Sequence, residues 1–304
     1  MTDRYVAIAD LPARAAREET HAAPPRLPAL ERLLARGHVR AASPDWRRWA
    51  LATAGLESAA GDLPLGRLMA RAAGLDVAPS DSWLVASPVR LEAGMSSVTV
   101  GDGARALDPE AAAALARSFT AEWGDSCELH AHGEVLLYRE RAPLEVETVD
   151  PEALADADLK ECLPRGRDGP ALTRRMTEIQ MWLHARSAAC NGLWLWGGGR
   201  GELNGTPAWP ALASADAPLA AARRVHPGRA ATPAAEIEYV SRSAFGADGF
   251  AAADAKWFEP LEAALRARTT ARVELHVGAH AVALDGRRVR HWWRRPRPWW
   301  EFGT

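Results

Sequence analysis

Residues 191–202 read Asn-Gly-Leu-Trp-Leu-Trp-Gly-Gly-Gly-Arg-Gly-Glu. The apolar run 193–196 has the length and composition of a buried strand. It breaks at once into Gly197, Gly198 and Gly199. Loss of side chains at a strand end lets another group approach the backbone closely. In open α/β sheets, ligands sit at the carboxyl ends of strands. The turn therefore predicts an anion cradle made by the N–H groups of Gly197, Gly198 and Gly199, with Arg200 beside them. The spacing is neither G-x-x-x-x-G-K-[ST] nor G-x-G-x-x-G, so it does not point to a nucleotide. A tight turn packed under Trp194 and Trp196 explains the same residues equally well.

Working outward, Tyr5-Val6-Ala7-Ile8-Ala9 predicts a first strand ended by Asp10 and Pro12. Leu27, Leu30, Leu33 and Leu34 share one helical face, and Gly37 follows as a stop. Further helices are predicted over 45–53, 63–74, 108–123, 173–186 and 254–268. Strands are predicted over 83–86, stopped by Ser87-Pro88, and over 97–100, with hairpins over 127–139 and 272–284. Residues 141–169 read as a connection with a short helix, and 200–250 as loop-rich. Helices interleaved with apolar strands indicate an α/β fold with a mixed, mainly parallel sheet and flanking helices. We expect one α/β domain over 1–286, with a possible subdivision near 141–170.

With 48% hydrophobic and 25% charged residues, the 304-residue chain has ordinary globular composition. No apolar run approaches the roughly 20 residues that span a bilayer. The first residues lack the basic-then-apolar pattern of a signal peptide, so a cytoplasmic location is the default expectation. Three widely spaced cysteines form neither a disulfide framework nor a zinc pair. Charge is unevenly spread. Residues 287–304 carry six Arg and one Glu, +5 net, which leaves −7 for the remaining 286 residues of a chain whose net charge is −2.

That tail interleaves Arg287, Arg288, Arg290, Arg294, Arg295 and Arg297 with Trp292, Trp293, Trp299 and Trp300. Arginine among aromatics suits single-stranded nucleic acid, by phosphate neutralisation and base stacking. It equally suits a segment docked on the domain, with Trp filling grooves and Arg heads left wet. Docking is the favoured reading. Glu128, His130 and His132 share a strand face and form a possible metal set, with a solvated hairpin face preferred. His276 and His280 read as loop histidines.

Several segments carry a family resemblance. They are Leu27-Pro-Ala-Leu-Glu-Arg-Leu-Leu-Ala-Arg-Gly37, Trp83-Leu-Val-Ala-Ser-Pro-Val-Arg-Leu91 and Glu178-Ile-Gln-Met-Trp-Leu-His184. With them go Asn191-Gly-Leu-Trp-Leu-Trp-Gly-Gly-Gly199, Trp257-Phe-Glu-Pro-Leu261 and Trp293-Arg-Arg-Pro-Arg-Pro298. Together they resemble the proteobacterial RpfE-type regulatory proteins, a family also labelled cofactor-independent phosphoglycerate mutase-like. The resemblance implies a remote alkaline phosphatase-like core. Such enzymes use two metal ions and a Ser or Thr nucleophile, and Asp10 is the one candidate ligand it suggests. Where the family reads Ala-Asp-Pro-Val-His-Leu, this chain has Ala86-Ser87-Pro88-Val89-Arg90-Leu91. A carboxylate and an imidazole are both replaced. No nucleophile follows Asp10, so the resemblance implies a degenerate scaffold.

The leading expectation is a non-catalytic regulatory or binding protein that engages a protein partner and needs no cofactor. The alternative is a metal-dependent phosphoglycerate mutase-like or phosphatase enzyme using Mn²⁺ or Mg²⁺. A second alternative is single-stranded nucleic-acid binding through the tail.

Overall fold

A computed structural model describes residues 2–8, 25–59, 61–93, 98–104, 107–154, 159–186, 190–245 and 249–302. In chain order the main strands are β1 (Thr2–Ile8), β2 (His38–Ala41), β3 (Ser82–Ala93), β4 (Val98–Ala104), β5 (Cys127–His132) and β6 (Val135–Glu140). They continue with β7 (Gly192–Trp196), β8 (Ala211–Leu212), β9 (Ala235–Val240), β10 (Thr270–Val277) and β11 (His280–Asp285). The main helices are α1 (Pro28–Arg36), α2 (Trp46–Thr53), α3 (Leu65–Ala72), α4 (Pro109–Trp123), α5 (Gly169–His184), α6 (Ala217–Val225) and α7 (Glu259–Ala267). Among the described residues no helix is long and apolar enough to cross a membrane. The three cysteines are buried thiols.

The fold is mixed α/β, and the chain forms two compact units. The first comprises 1–57, 205–215 and 227–304; the second comprises 58–204 and 216–226. Residues 141–170 lie wholly inside the second unit, and the tail belongs to the first.

The first unit is built on a sheet ordered β8-β9-β1-β10-β11-β2. β8, β9, β1 and β10 run parallel, while β11 and β2 add antiparallel pairs. Alternation along β1 sends Val6 and Ile8 to one face and Tyr5 to the other. Val6 and Ile8 join a core with Leu27, Leu30, Leu33, Leu275, Phe258 and Leu265, so α1 and α7 cover that face. On the opposite face Tyr5 meets Trp49 of α2 edge-on, and Trp46 stacks on Tyr239 at 4.2 Å.

α1 begins at a proline and has no side-chain cap of its own. Its first N–H groups are satisfied from far along the chain. The buried Asp254 carboxylate accepts from Ala29 N at 2.8 Å and Leu30 N at 3.0 Å. A carboxylate at this position also complements the helix dipole. Gly37 ends the helix with φ −73°, not in the left-handed region. Its missing side chain matters because a Cβ there would lie 2.1 Å from Val282 Cγ1 of β11.

The second unit carries an antiparallel sheet centred on β3, which pairs with β4, β6 and β7, while β5 extends it beyond β6. α4 and α5 cover one face through Phe119, Leu172, Ile179 and Trp182. Asp108 caps α4 by accepting from Ala111 N at 2.8 Å.

Two expectations about strands need correction. Pro88 does not stop β3, which runs on to Ala93. Pairing with β6 ends at Ala86 and pairing with β4 starts at Val89, so the missing N–H of Pro88 falls at a gap in the ladder. Residues 200–250 are not merely loops, because β9 sits beside β1 in the parallel core. Its sequence, Ala-Glu-Ile-Glu-Tyr-Val, hides it among half-buried charged positions.

Candidate functional site

The strand 193–196 forms as expected, with all five residues of β7 buried. Its setting differs from the one that suggested a ligand. β7 pairs antiparallel with β3 and takes no part in the parallel sheet. The rule about carboxyl ends of parallel strands therefore does not govern this turn.

The chain turns at Gly197 with φ +67°. Gly197 N donates to Thr148 Oγ1 at 2.8 Å, Gly198 N to Asp62 Oδ2 at 3.2 Å, and Gly199 N to Leu63 O at 3.1 Å. Asp62 Oδ2 accepts twice more, from Thr148 Oγ1 at 2.5 Å and Thr148 N at 3.2 Å. Of the three N–H groups only that of Gly198 meets a carboxyl group, the chain's own Asp62, while the other two meet a hydroxyl and a backbone carbonyl. Asp62 stands 136 residues from Gly198 in sequence, so no local spacing announces the pairing. Arg200 is exposed and donates Nη2 to Pro79 O at 3.2 Å.

Asp10 lies outside the described residues. Among the described residues no three His, Cys, Asp or Glu side chains are placed to share a metal ion. Glu128 is instead committed to guanidinium groups, accepting from Arg139 Nη1 at 3.0 Å and Arg141 Nη2 at 2.5 Å, with His130 Nε2 at 3.1 Å. Burial would raise the Glu128 carboxyl, but these bonds hold it below the usual range. His276 is not in a loop. It is buried on β10, with Nε2 2.7 Å from Ser43 O and its ring against Trp49.

The C-terminal segment divides in character. Arg288–Arg290 forms a 3₁₀ turn whose Val289 is fully buried in the core of the first unit. Asp285 Oδ1 accepts from Arg287 N and Arg288 N, both at 2.8 Å, and the Arg288 N–H above all holds that carboxyl below its ordinary range. At the far end Trp299 is 5% exposed. Its N and Nε1 donate to Glu31 Oε1 at 3.3 Å and Pro25 O at 2.9 Å. Trp300 and Phe302 pack around the same core. Between these anchors the chain arches outward. Trp292 is 80% exposed and Trp293 60%, with Arg294, Arg295 and Arg297 exposed beside them. Trp293 stacks on His291 at 4.6 Å, and the two tryptophans meet at 83°.

Among the described residues none of the six tail arginines forms an ion pair. Arg290 and Arg294 make single bonds, to Arg266 O at 3.3 Å and Gly37 O at 3.4 Å. A pocket of about 470 Å³ opens under the arch, lined by Glu31, Leu34, Arg294, Arg297, Glu301 and Phe302 among others. The segment is thus both docked and displayed. Val289 and Trp299 serve the core, while 292–297 presents apolar rings and uncompensated positive charge to solvent.

No family model matches this chain, and no curated protein matches it by sequence. The solved structures similar to it at a distance include these two. One is a cofactor-independent phosphoglycerate mutase from Thermoplasma acidophilum, at 12% identity and a TM-score of 0.36, covering 93% of this chain and 89% of that one. The other is the PH0037 protein from Pyrococcus horikoshii, at 11% identity and 0.37, covering 93% and 86%.

Proposed function

We propose that this chain is a binding protein, that the arch 291–298 is its contact surface, and that its ligand is a protein partner. The observation that carries the reading is the adjacent pair of exposed tryptophans beside arginines that form no ion pair among the described residues, on a segment anchored at both ends. Water-exposed indoles are costly to keep in a row, and Trp with Arg dominates the energetic centres of protein interfaces. The pocket lining supports a peptide over a polyphosphate chain, because Glu31, Glu301, Leu34 and Phe302 share it with the arginines. The RpfE-type resemblance supports a regulatory role for the contact.

The test uses the full chain and its Trp292→Ala/Arg294→Ala variant against an array of acidic, aromatic-containing peptides. Binding that weakens about tenfold or more in the variant is expected. Peptides that bind both forms equally, or neither, overturn the reading. A second reading, single-stranded nucleic acid, is favoured by the absence, among the described residues, of ion pairs at the six tail arginines. A labelled oligothymidylate that binds with a steep salt dependence, while acidic peptides do not bind, replaces the first reading with this one.

The enzyme reading has one structural support. β1 lies between parallel β9 and β10, and its carboxyl end leads in sequence to Asp10, where α/β proteins place ligands. The described residues supply no set of three His, Cys, Asp or Glu side chains for Mn²⁺ or Mg²⁺. Phosphatase turnover stimulated by Mn²⁺ and lost in Asp10→Ala would establish this reading in place of the first.

A further inference from the structure

The donors of the glycine turn are spent, but the positive charge beyond it is not. Arg67 of α3 is only 7% exposed. Its Nη2 donates to Ala78 O at 3.1 Å, while its buried Nε makes no hydrogen bond and the side chain no ion pair among the described residues. Arg71 follows one helical turn later. Arg200 Nη2 rests on Pro79 O, the carbonyl next to the one that Arg67 uses. Two guanidinium groups thus share one short stretch of backbone, and a third stands i+4 along the helix.

One carboxylate offsets this charge locally. Glu202 accepts from Arg71 Nη1 at 2.8 Å and from Arg71 Nη2 at 2.9 Å. It forms no ion pair with Arg67, although its charge acts on that guanidinium across a longer distance. Asp81, also near, is taken by Arg139 at 2.6 Å. Burial, and after it the charge of Arg71, holds the Arg67 guanidinium below the usual arginine range. A guanidinium withdrawn from water with one carbonyl as its hydrogen-bond partner, and carboxylates only at longer range, is incompletely compensated, and an anion at its free edge relieves that cost. Arg200 is exposed and Arg71 half-buried, so the cluster opens to solvent.

We propose that Arg67, Arg71 and Arg200 form a site for a tetrahedral oxyanion in the second unit, with Glu202 holding Arg71 until the anion arrives. The planar donor forks of arginine match phosphate or sulfate oxygens two at a time. A free anion and the phosphate end of an organic molecule share this chemistry. The site is separate from the C-terminal arch and stands whether or not that surface binds a partner.

The test is calorimetric titration of the full chain with inorganic phosphate at constant ionic strength. Saturable binding is expected. Arg67→Gln should weaken it about tenfold or more, and Glu202→Gln should tighten it severalfold by removing the competing carboxylate. No binding, or equal affinity in Arg67→Gln and the parent, overturns the proposal. If Arg67→Gln fails to fold, the exposed Arg200→Ala is read the same way. Glycerol phosphate distinguishes the sources. Affinity well above that of inorganic phosphate assigns the site to an organic monoester, and equal affinity assigns it to the free anion.

Discussion

At Gly199 a single hydrogen stands where any other residue would place a carbon 2.0 Å from Asp62 O and 2.6 Å from Leu63 C. Both are backbone atoms, which cannot swing aside as a side-chain tip does. Gly201, two residues on, has nothing nearer than 3.7 Å at the same point. Gly199→Ala should therefore cost about 3 kcal/mol. Gly201→Ala should be neutral or slightly stabilising, since it only restricts the unfolded chain. Urea denaturation of the two variants checks this, and equal stabilities would remove the packing account of the turn. The pair also shows where reading from sequence stops. That the turn needs glycine is visible in 197–199, but what crowds it is not, because Asp62 and Leu63 arrive from another part of the chain. Arg67 and Arg71 are harder still. At i and i+4 on a helix they read as a wet face, and only the packed α3 reveals that Arg67 is buried.

Elements were legible in proportion to how local their signals are. α1 follows from Leu27, Leu30, Leu33 and Leu34, and α4 from Asp108-Pro109, because helix faces and caps lie within a few residues of each other. β9 was not legible, since a parallel strand bonded on both sides carries Glu236 and Glu238 at half-buried positions. Arg4 pairs with both, at 2.9 and 3.1 Å. Attachments between elements are equally hidden, and Glu262 makes the case measurable. It is 6% exposed on α7 and takes Arg32 and Arg36 of α1 at 2.8 and 2.7 Å, with Arg266 at 2.8 Å. Burial pushes its carboxyl up, yet the bonds from Arg32 and Arg266 carry it below the ordinary range. A depressed folded pKa means the stabilisation is present above the unfolded value, about 4.3, and is lost as pH falls through the folded one. Glu262→Gln should lower stability at pH 7 by about 3 kcal/mol, because it strands Arg36. It should also flatten the decline in stability below about pH 4.3. Denaturation midpoints at pH 7 and on the acid limb test both statements. An acid limb as steep in the variant as in the parent would show that Glu262 is not linked to α1 in this way.

At the scale of the whole molecule, the division into two units escapes a linear reading because both units are discontinuous. The chain leaves the first at residue 57 and returns to it at 205 and again at 227. The charge asymmetry, by contrast, was plain in the sequence, and the structure separates its two roles. The +5 of residues 287–304 sits on a segment whose Val289 and Trp299 belong to the core built on α1, α7 and β10. Removing the tail to test its binding would therefore remove buried indole as well as charge. A large buried side chain lost from a core costs about 3–5 kcal/mol, a large part of a typical domain's stability. Deletion of 287–304 should accordingly lower the melting temperature sharply and expose apolar surface to a hydrophobic dye. Trp292→Ala/Arg294→Ala should leave the melting temperature nearly unchanged, since surface substitutions of this kind fall within about 0.5 kcal/mol. If the deletion melts like the parent chain, Trp299 is not an anchor and the arch has no fixed geometry to present. If it melts early while the double variant does not, lost partner binding in the double variant reports on the contact surface itself, free of any effect on the fold.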